Sequence, residues 1–302
     1  MPHAQVNGVE IAYEFHEAGD ATPFVLIQGL SMPLNAWPPA FIEALTTAGH
    51  PVLVMDNRDI GHSQTFDDFG IPNLAWQMVK SRIGLPVRTA YSLPDMGRDV
   101  NALMAHIGIR RAHIVGVSMG GMIAQTLALN FPQRCFSLTS IMSTTGNRRL
   151  PQARKDVLRH LMSRPRMQGV DERIAHSMKM WGLISSKDQG VDFDYLEKRI
   201  RSMYERGITA GGAARQMLAI GTADSRKRAL GKLQVPTLVI HGKEDPLVPP
   251  AHGVDTAEAI PGARLELIDG MAHDLAPNLI PVLIGLILAH TADVERSDTA
   301  AA

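Results

Sequence analysis

Residues 112–124 read Ala-His-Ile-Val-Gly-Val-Ser-Met-Gly-Gly-Met-Ile-Ala. An apolar run ends in Gly116-Val117-Ser118-Met119-Gly120, and small, helix-compatible residues follow at once. Strand, tight turn and helix account for this spacing. A serine held on a strained turn needs room two residues to either side, and glycine supplies it. The helix that follows aims free N–H groups and a positive dipole end at the serine. Such a G-x-S-x-G nucleophile elbow predicts Ser118 as a catalytic nucleophile at the rim of a sheet flanked by helices. The same pentapeptide also occurs as an inert turn, so its meaning depends on partners elsewhere in the chain.

The rest of the chain supplies the sheet. Short runs rich in Val, Ile and Leu recur at Phe24 to Ile27, Pro51 to Met55, His113 to Val117, Leu138 to Met142, Pro236 to Ile240 and Leu265 to Ile268. Each is separated from the next by enough residues for a helix, which predicts strands buried on both faces of a mostly parallel sheet. Helices are predicted at Ala40 to Ala48, Leu93 to Ile107, Met122 to Asn130 and Ala251 to Ala259, and Asn7-Gly8 predicts an opening hairpin. A short amphipathic piece, Leu74 to Ile83, is set among Gly70, Pro72, Gly84 and Pro86. Residues 145–232 hold helical segments and no convincing strand. They predict a helical cap inserted between sheet strands, over a core formed by 1–144 and 233–292. The polar, Ala-rich residues 293–302 are expected to be a flexible tail.

Composition excludes some functions. With 30 Lys/Arg against 30 Asp/Glu the formal charge is zero, which argues against nucleic acid as partner. The single cysteine, Cys135, rules out an internal disulfide and suits a reducing, cytoplasmic setting. The N-terminus shows no signal pattern. The longest nearly unbroken apolar run, Leu279 to Ala289, is shorter than the roughly 20 residues a bilayer needs. A buried C-terminal helix and no integral membrane segment are expected. No Cys/His metal spacing is present, so no metal is expected. The oligomeric state stays open, a homodimer included. Residues 145–232 carry 19 Lys/Arg against 9 Asp/Glu, leaving 11 against 21 for the remainder. That basic bias reads as a solvated helical face, or as an attraction for an anionic substrate or surface.

Ser118 is a weak nucleophile without a base, itself oriented by a third group. In proteins with this elbow the acid and then the histidine follow in chain order. His241-Gly242-Lys243-Glu244-Asp245 continues one predicted strand, and Gly270-Met271-Ala272-His273 follows the next. Functional groups in such sheets gather at the carboxyl ends of strands. His273 is therefore the expected base and Asp245 the expected acid, with Glu244 as fallback; Asp269 is expected to brace the loop. The oxyanion donors are expected to be the backbone N–H groups of Met119 and, after the strand Phe24 to Ile27, of Leu30. Gly29 allows the close approach. Gly29, Met142, Met178 and Trp181 are candidate substrate contacts, with cap packing the equal alternative for Met178, Met180 and Trp181. Arg58, Asp59 and His62 are expected to tie a loop rather than do chemistry.

Gln28-Gly29, Trp37, the run Asp56 to Ser63, Gly116 to Gly121, His241 to Asp245 and Gly270 to His273 together resemble the α/β-hydrolase superfamily. Asp56-x-Arg58-Asp59-x-Gly61-x-Ser63 and Ser118-Met119-Gly120-Gly121-Met122 resemble its branch of aclacinomycin methylesterase and related bacterial carboxylesterases. Gln28 stands where many members carry histidine. The resemblance implies cofactor-free hydrolysis of a small-molecule ester through an acyl-enzyme. The same residues could serve a lactone, thioester, carbon–carbon bond or peracid, and a silent ligand-binding protein is the alternative of another class. Turnover is expected to fall as His273 protonates, so a rate flat from about pH 5 to 8 would count against it as the base.

Overall fold

A computed structural model describes residues 1–163 and 169–301. The Asn7-Gly8 turn, with both residues at positive φ, joins β1 (His3–Val6) to β2 (Val9–His16) as an antiparallel pair. There follow β3 (Phe24–Ile27), α1 (Pro39–Thr47), β4 (Val52–Met55), α2 (Leu74–Arg82), α3 (Leu93–His106), β5 (Ala112–Val117), α4 (Met119–Asn130) and β6 (Cys135–Ile141). Between β6 and the next strand lie α5 (Lys155–Met162), α6 (Val170–Ile184), α7 (Phe193–Gly207), α8 (Ala210–Thr222) and the short α9 (Lys227–Leu230). The chain closes with β7 (Thr237–Gly242), α10 (Ala251–Ala259), β8 (Arg264–Ile268) and α11 (Ile280–Ala301).

The eight strands form one sheet in the order β1-β2-β4-β3-β5-β6-β7-β8, parallel from β4 to β8. Strands β3, β4, β5 and β7 are buried at every position, which is why they read as continuous apolar runs instead of alternating ones. Helices α3 and α4 cover one face through Met96, Val100, Ile123 and Leu127. Helices α1 and α11 cover the other through Phe41, Leu45, Leu283 and Ile287. Ser92 and Asp95 form a reciprocal capping box that starts α3.

The expected flexible tail is corrected: α11 stays helical through Ala301, and Ala302 lies outside the described residues. Glu295 meets the buried His113 Nε2 at 3.2 Å and Asp298 reaches Arg111 at 3.2 Å, so the polar residues are anchors. Continuing past Ala289 also makes this helix long and apolar enough to cross a bilayer by length and composition, although 44% of that stretch is buried in the fold. Burial pushes His113 down to about 4 against the pull of Glu295. A histidine whose folded pKa is depressed takes up its proton first in the unfolded chain, so stability is lost as pH falls below about 6.5 and levels off near 4. Chemical denaturation across that window is expected to show the fall, at most about 3 kcal/mol from this group; His113→Gln should make it shallower, leaving the part due to His176, His252 and His290, which burial also holds low.

The basic bias of residues 145–232 has a specific use. Arg215 of α8 is 2% exposed and forks onto Asp59, Nε to Oδ2 at 2.8 Å and Nη2 to Oδ1 at 2.7 Å, and reaches Asp67. Arg206 of α7 pairs with the buried Asp56 at 2.8 Å, and Lys227 of α9 with Asp255 at 2.6 Å. Three cations of residues 145–232 thus meet aspartates of the sheet region.

Candidate active site

The elbow has the geometry its spacing predicts. Ser118 sits at φ 56°, ψ −118°, a left-handed conformation rare for a side-chain-bearing residue. A Cβ at Gly116 would drive into the Gly120 carbonyl, and one at Gly120 into the Ile27 carbonyl of β3. Helix α4 begins at Met119, three residues earlier than its sequence prediction. The serine is pinned by its N–H to Ile141 O at 2.9 Å and by Ser143 Oγ donating to its carbonyl at 2.7 Å.

The two predicted partners converge on it. His273 Nε2 lies 3.0 Å from Ser118 Oγ, and His273 Nδ1 lies 2.6 Å from Asp245 Oδ2. A carboxylate can only accept, so Nδ1 carries the proton and Nε2 presents a lone pair to the serine hydroxyl. Asp245 is buried, and its other oxygen accepts the N–H groups of Leu247 and Val248 at 2.9 and 2.8 Å. Burial alone would raise this carboxyl, but His273 and His241 beside it hold it well below the ordinary carboxylate range. Glu244 is exposed, and Asp269 pairs at the surface with Lys243 at 2.7 Å.

The loop after β3 presses on the elbow: a Cβ at Gly29 would lie 3.3 Å from Ser118 Cβ. The backbone N–H groups of Leu30 and Met119 have no acceptor among the described residues. Met178 and Trp181 of α6 are part-buried and pack on a cluster of Ile174, Ile200 and Met203, from α6 and α7, against which Met32 also packs. Met142 is corrected from substrate contact to packing residue: it is 1% exposed and sits in the core cluster with Val117, Ile141 and Ile240. Arg58 and Asp59 do tie loops, Arg58 to Asp99 at 2.6 and 2.7 Å and Asp59 to Arg215.

Three neighbours of the site escape a sequence reading. His241 Nε2 donates to Val248 O at 2.7 Å and lies 3.5 Å from Asp245 Oδ2, so it supports the turn that carries the acid. Asp274, in the loop after β8, and Ser186, just after α6, are joined beside His273. Their pairing joins segments 88 residues apart, and no local pattern marks it. The His50, His113 and Glu295 side chains place three groups of metal-ligating type within 4.8 Å of one another. His113 and Glu295 lie where α11 crosses the amino end of β5, away from Ser118 at its carboxyl end. His50 Nδ1 is bonded to Thr22 O and His113 Nδ1 to Ser137 Oγ, so each ring already has a protein partner.

Residues 22–276 match the sequence pattern of the alpha/beta hydrolase fold family. The chain belongs to that family. Among curated proteins it is similar to a rhodomycin D methylesterase of Streptomyces sp. (strain C5), at 29% identity over 96% of this chain and 98% of the relative. The rhodomycin D methylesterase of Streptomyces peucetius matches at 28% over the same shares. The structure of the enol-lactonase from Burkholderia xenovorans superposes with a TM-score of 0.74 at 23% identity, covering 96% of this chain and all of that one, a likeness of fold. This hydrolase chain therefore resembles the methylesterase branch along its whole length and not at the elbow alone.

Proposed function

We propose that the chain is a serine hydrolase of carboxylic esters acting through an acyl-enzyme. The observation that carries this reading is the continuous relay from Asp245 through His273 to Ser118 Oγ, with two unpaired N–H groups beside the serine. In this reading His273 takes the hydroxyl proton as Ser118 Oγ attacks the acyl carbon, and the carbonyl oxygen becomes an oxyanion facing Leu30 and Met119 N–H. The tetrahedral adduct collapses, His273 protonates the departing alcohol, and the acyl group stays on Ser118. Water, deprotonated by the same imidazole, then releases the acid. Asp245 stays ionised throughout and keeps the imidazole turned.

Relatives named as methylesterases support methyl esters of carboxylic acids as the first natural substrate class to try. The deciding experiment compares a p-nitrophenyl ester series from acetyl to palmitoyl with matched thioesters and lactones, alongside stoichiometric labelling by a serine-directed phosphonate. Ester turnover above the other two, with one phosphonate on Ser118, is the expected result. A preference for lactone or thioester would move the bond, and failure of Ser118 to label would favour a binding protein.

A further inference from the structure

We propose that the cap is a working part of the catalytic apparatus, in which Ser186 and Gln216 are positioning residues for the base loop and the oxyanion loop. This rests on the serine-hydrolase reading.

Ser186 follows α6 and is 1% exposed. Its Oγ accepts the Ala272 N–H at 2.8 Å and donates to Asp274 Oδ1, and its own N–H donates to that oxygen at 3.1 Å. Two residues back, Ile184 O accepts the His273 N–H at 2.9 Å. Residues 272, 273 and 274 are therefore each hydrogen-bonded to the 184–186 segment of the cap. The base is bracketed by cap groups on both sides.

The second loop is held from α8. Gln216 is fully buried; its Oε1 accepts the Ser31 N–H at 2.8 Å and its Nε2 donates to Arg58 O at 2.8 Å. Ser31 stands next to Leu30 at φ 56°, a conformation that needs to be held from outside. The cap cluster around Met178 and Trp181 also packs on Met32 of this loop. Asp245 of the core turns the imidazole, while the cap adds a second set of bonds that fixes the backbone on either side of the base and beside the donor. A cap that merely filters substrates would not need buried bonds to the two loops that carry the reacting groups.

The test uses p-nitrophenyl acetate, whose acyl group is too small to need the cap for binding. For Ser186→Ala and Gln216→Leu, kcat is expected to fall by about 10²-fold with KM within about threefold, the loss that a displacement of about 1 Å produces. Ser186→Thr, which keeps the hydroxyl, should restore most of it. Unchanged kcat on acetate with KM raised on longer esters would overturn the proposal in favour of a filter. Should Ser186→Ala not fold, Asp274→Asn perturbs the same loop and is expected to lower kcat in the same way. Wild type against Ser118→Ala in the same assay reports separately on the hydrolase reading. The downfield proton resonance of the His273–Asp245 hydrogen bond, assigned by its loss in His273→Gln, decides even without turnover. It should shift or broaden in Ser186→Ala, and an unchanged resonance would overturn the role of Ser186.

Discussion

Ser118→Ala is expected to lower ester turnover by at least about 10⁴-fold while leaving the fold intact. The substitution keeps Cβ, so the strained backbone at φ 56° meets no new contact. What disappears is Oγ, and with it the 3.0 Å contact to His273 Nε2. Residual rate would come from the N–H pair and from binding, the part of catalysis that survives loss of a nucleophile. Steady-state rates on a p-nitrophenyl ester, paired with thermal melts followed by circular dichroism, check both halves. A variant melting like wild type with a rate within tenfold of it would remove Ser118 as nucleophile.

Arg215→Met is expected to destabilise the protein by about 3–5 kcal/mol, the cost of leaving a buried charge unpaired. Asp59 is fully buried and spends both oxygens on Arg215, with the Tyr91 hydroxyl as a further donor at 2.6 Å. Methionine fills much of the volume and donates nothing, so Asp59 would keep the Tyr91 hydroxyl and the Phe66 N–H as donors but lose its buried counter-charge. Asp59→Asn in the Arg215→Met background should recover a large part of the loss, because the uncompensated charge is then gone. Urea unfolding of the two variants measures it. A loss under about 1 kcal/mol for Arg215→Met would mean that the cap–core junction is held by apolar packing, with the pair contributing little.

How far the sequence could be read differs by element. Four of the six predicted strands, β3, β4, β5 and β7, were legible because a strand buried on both faces is mostly apolar at successive positions, as β3 is from Phe24 to Ile27; β8, at the sheet edge, was legible only as a short aliphatic run. The elbow was legible because its glycines answer local steric demands, met within a few residues of Ser118. Its helix was predicted to start too late, since Gly120-Gly121 reads as turn; those glycines instead let the first turn of α4 pass the Ile27 carbonyl and Ser143. The end of α11 was misread for the converse reason. Residues 293–302 are polar and small, and nothing local shows that Glu295 lands on His113 from the far side of the chain.

The choice of Asp245 over Glu244 shows the same boundary. Both lie in the loop after β7, and spacing alone leaves them near equivalent. The turn at Pro246 buries Asp245, gives it two backbone N–H groups and sets it against His273, while Glu244 faces solvent. The basic excess of residues 145–232 was countable in the sequence, but the pairing of Arg206 and Arg215 was not, because they find Asp56 and Asp59 about 150 residues away. The sequence by itself determined the strand–turn–helix elbow and the parallel core, since these follow from local sterics and from which residues can be buried, and it placed Asp245 and His273 after strands downstream of Ser118. Only the tertiary structure decided which carboxylate meets His273, how residues 145–232 are clasped to the sheet and which of their groups bond to the loops of His273 and Leu30, since those bonds form between segments that no local pattern brings together.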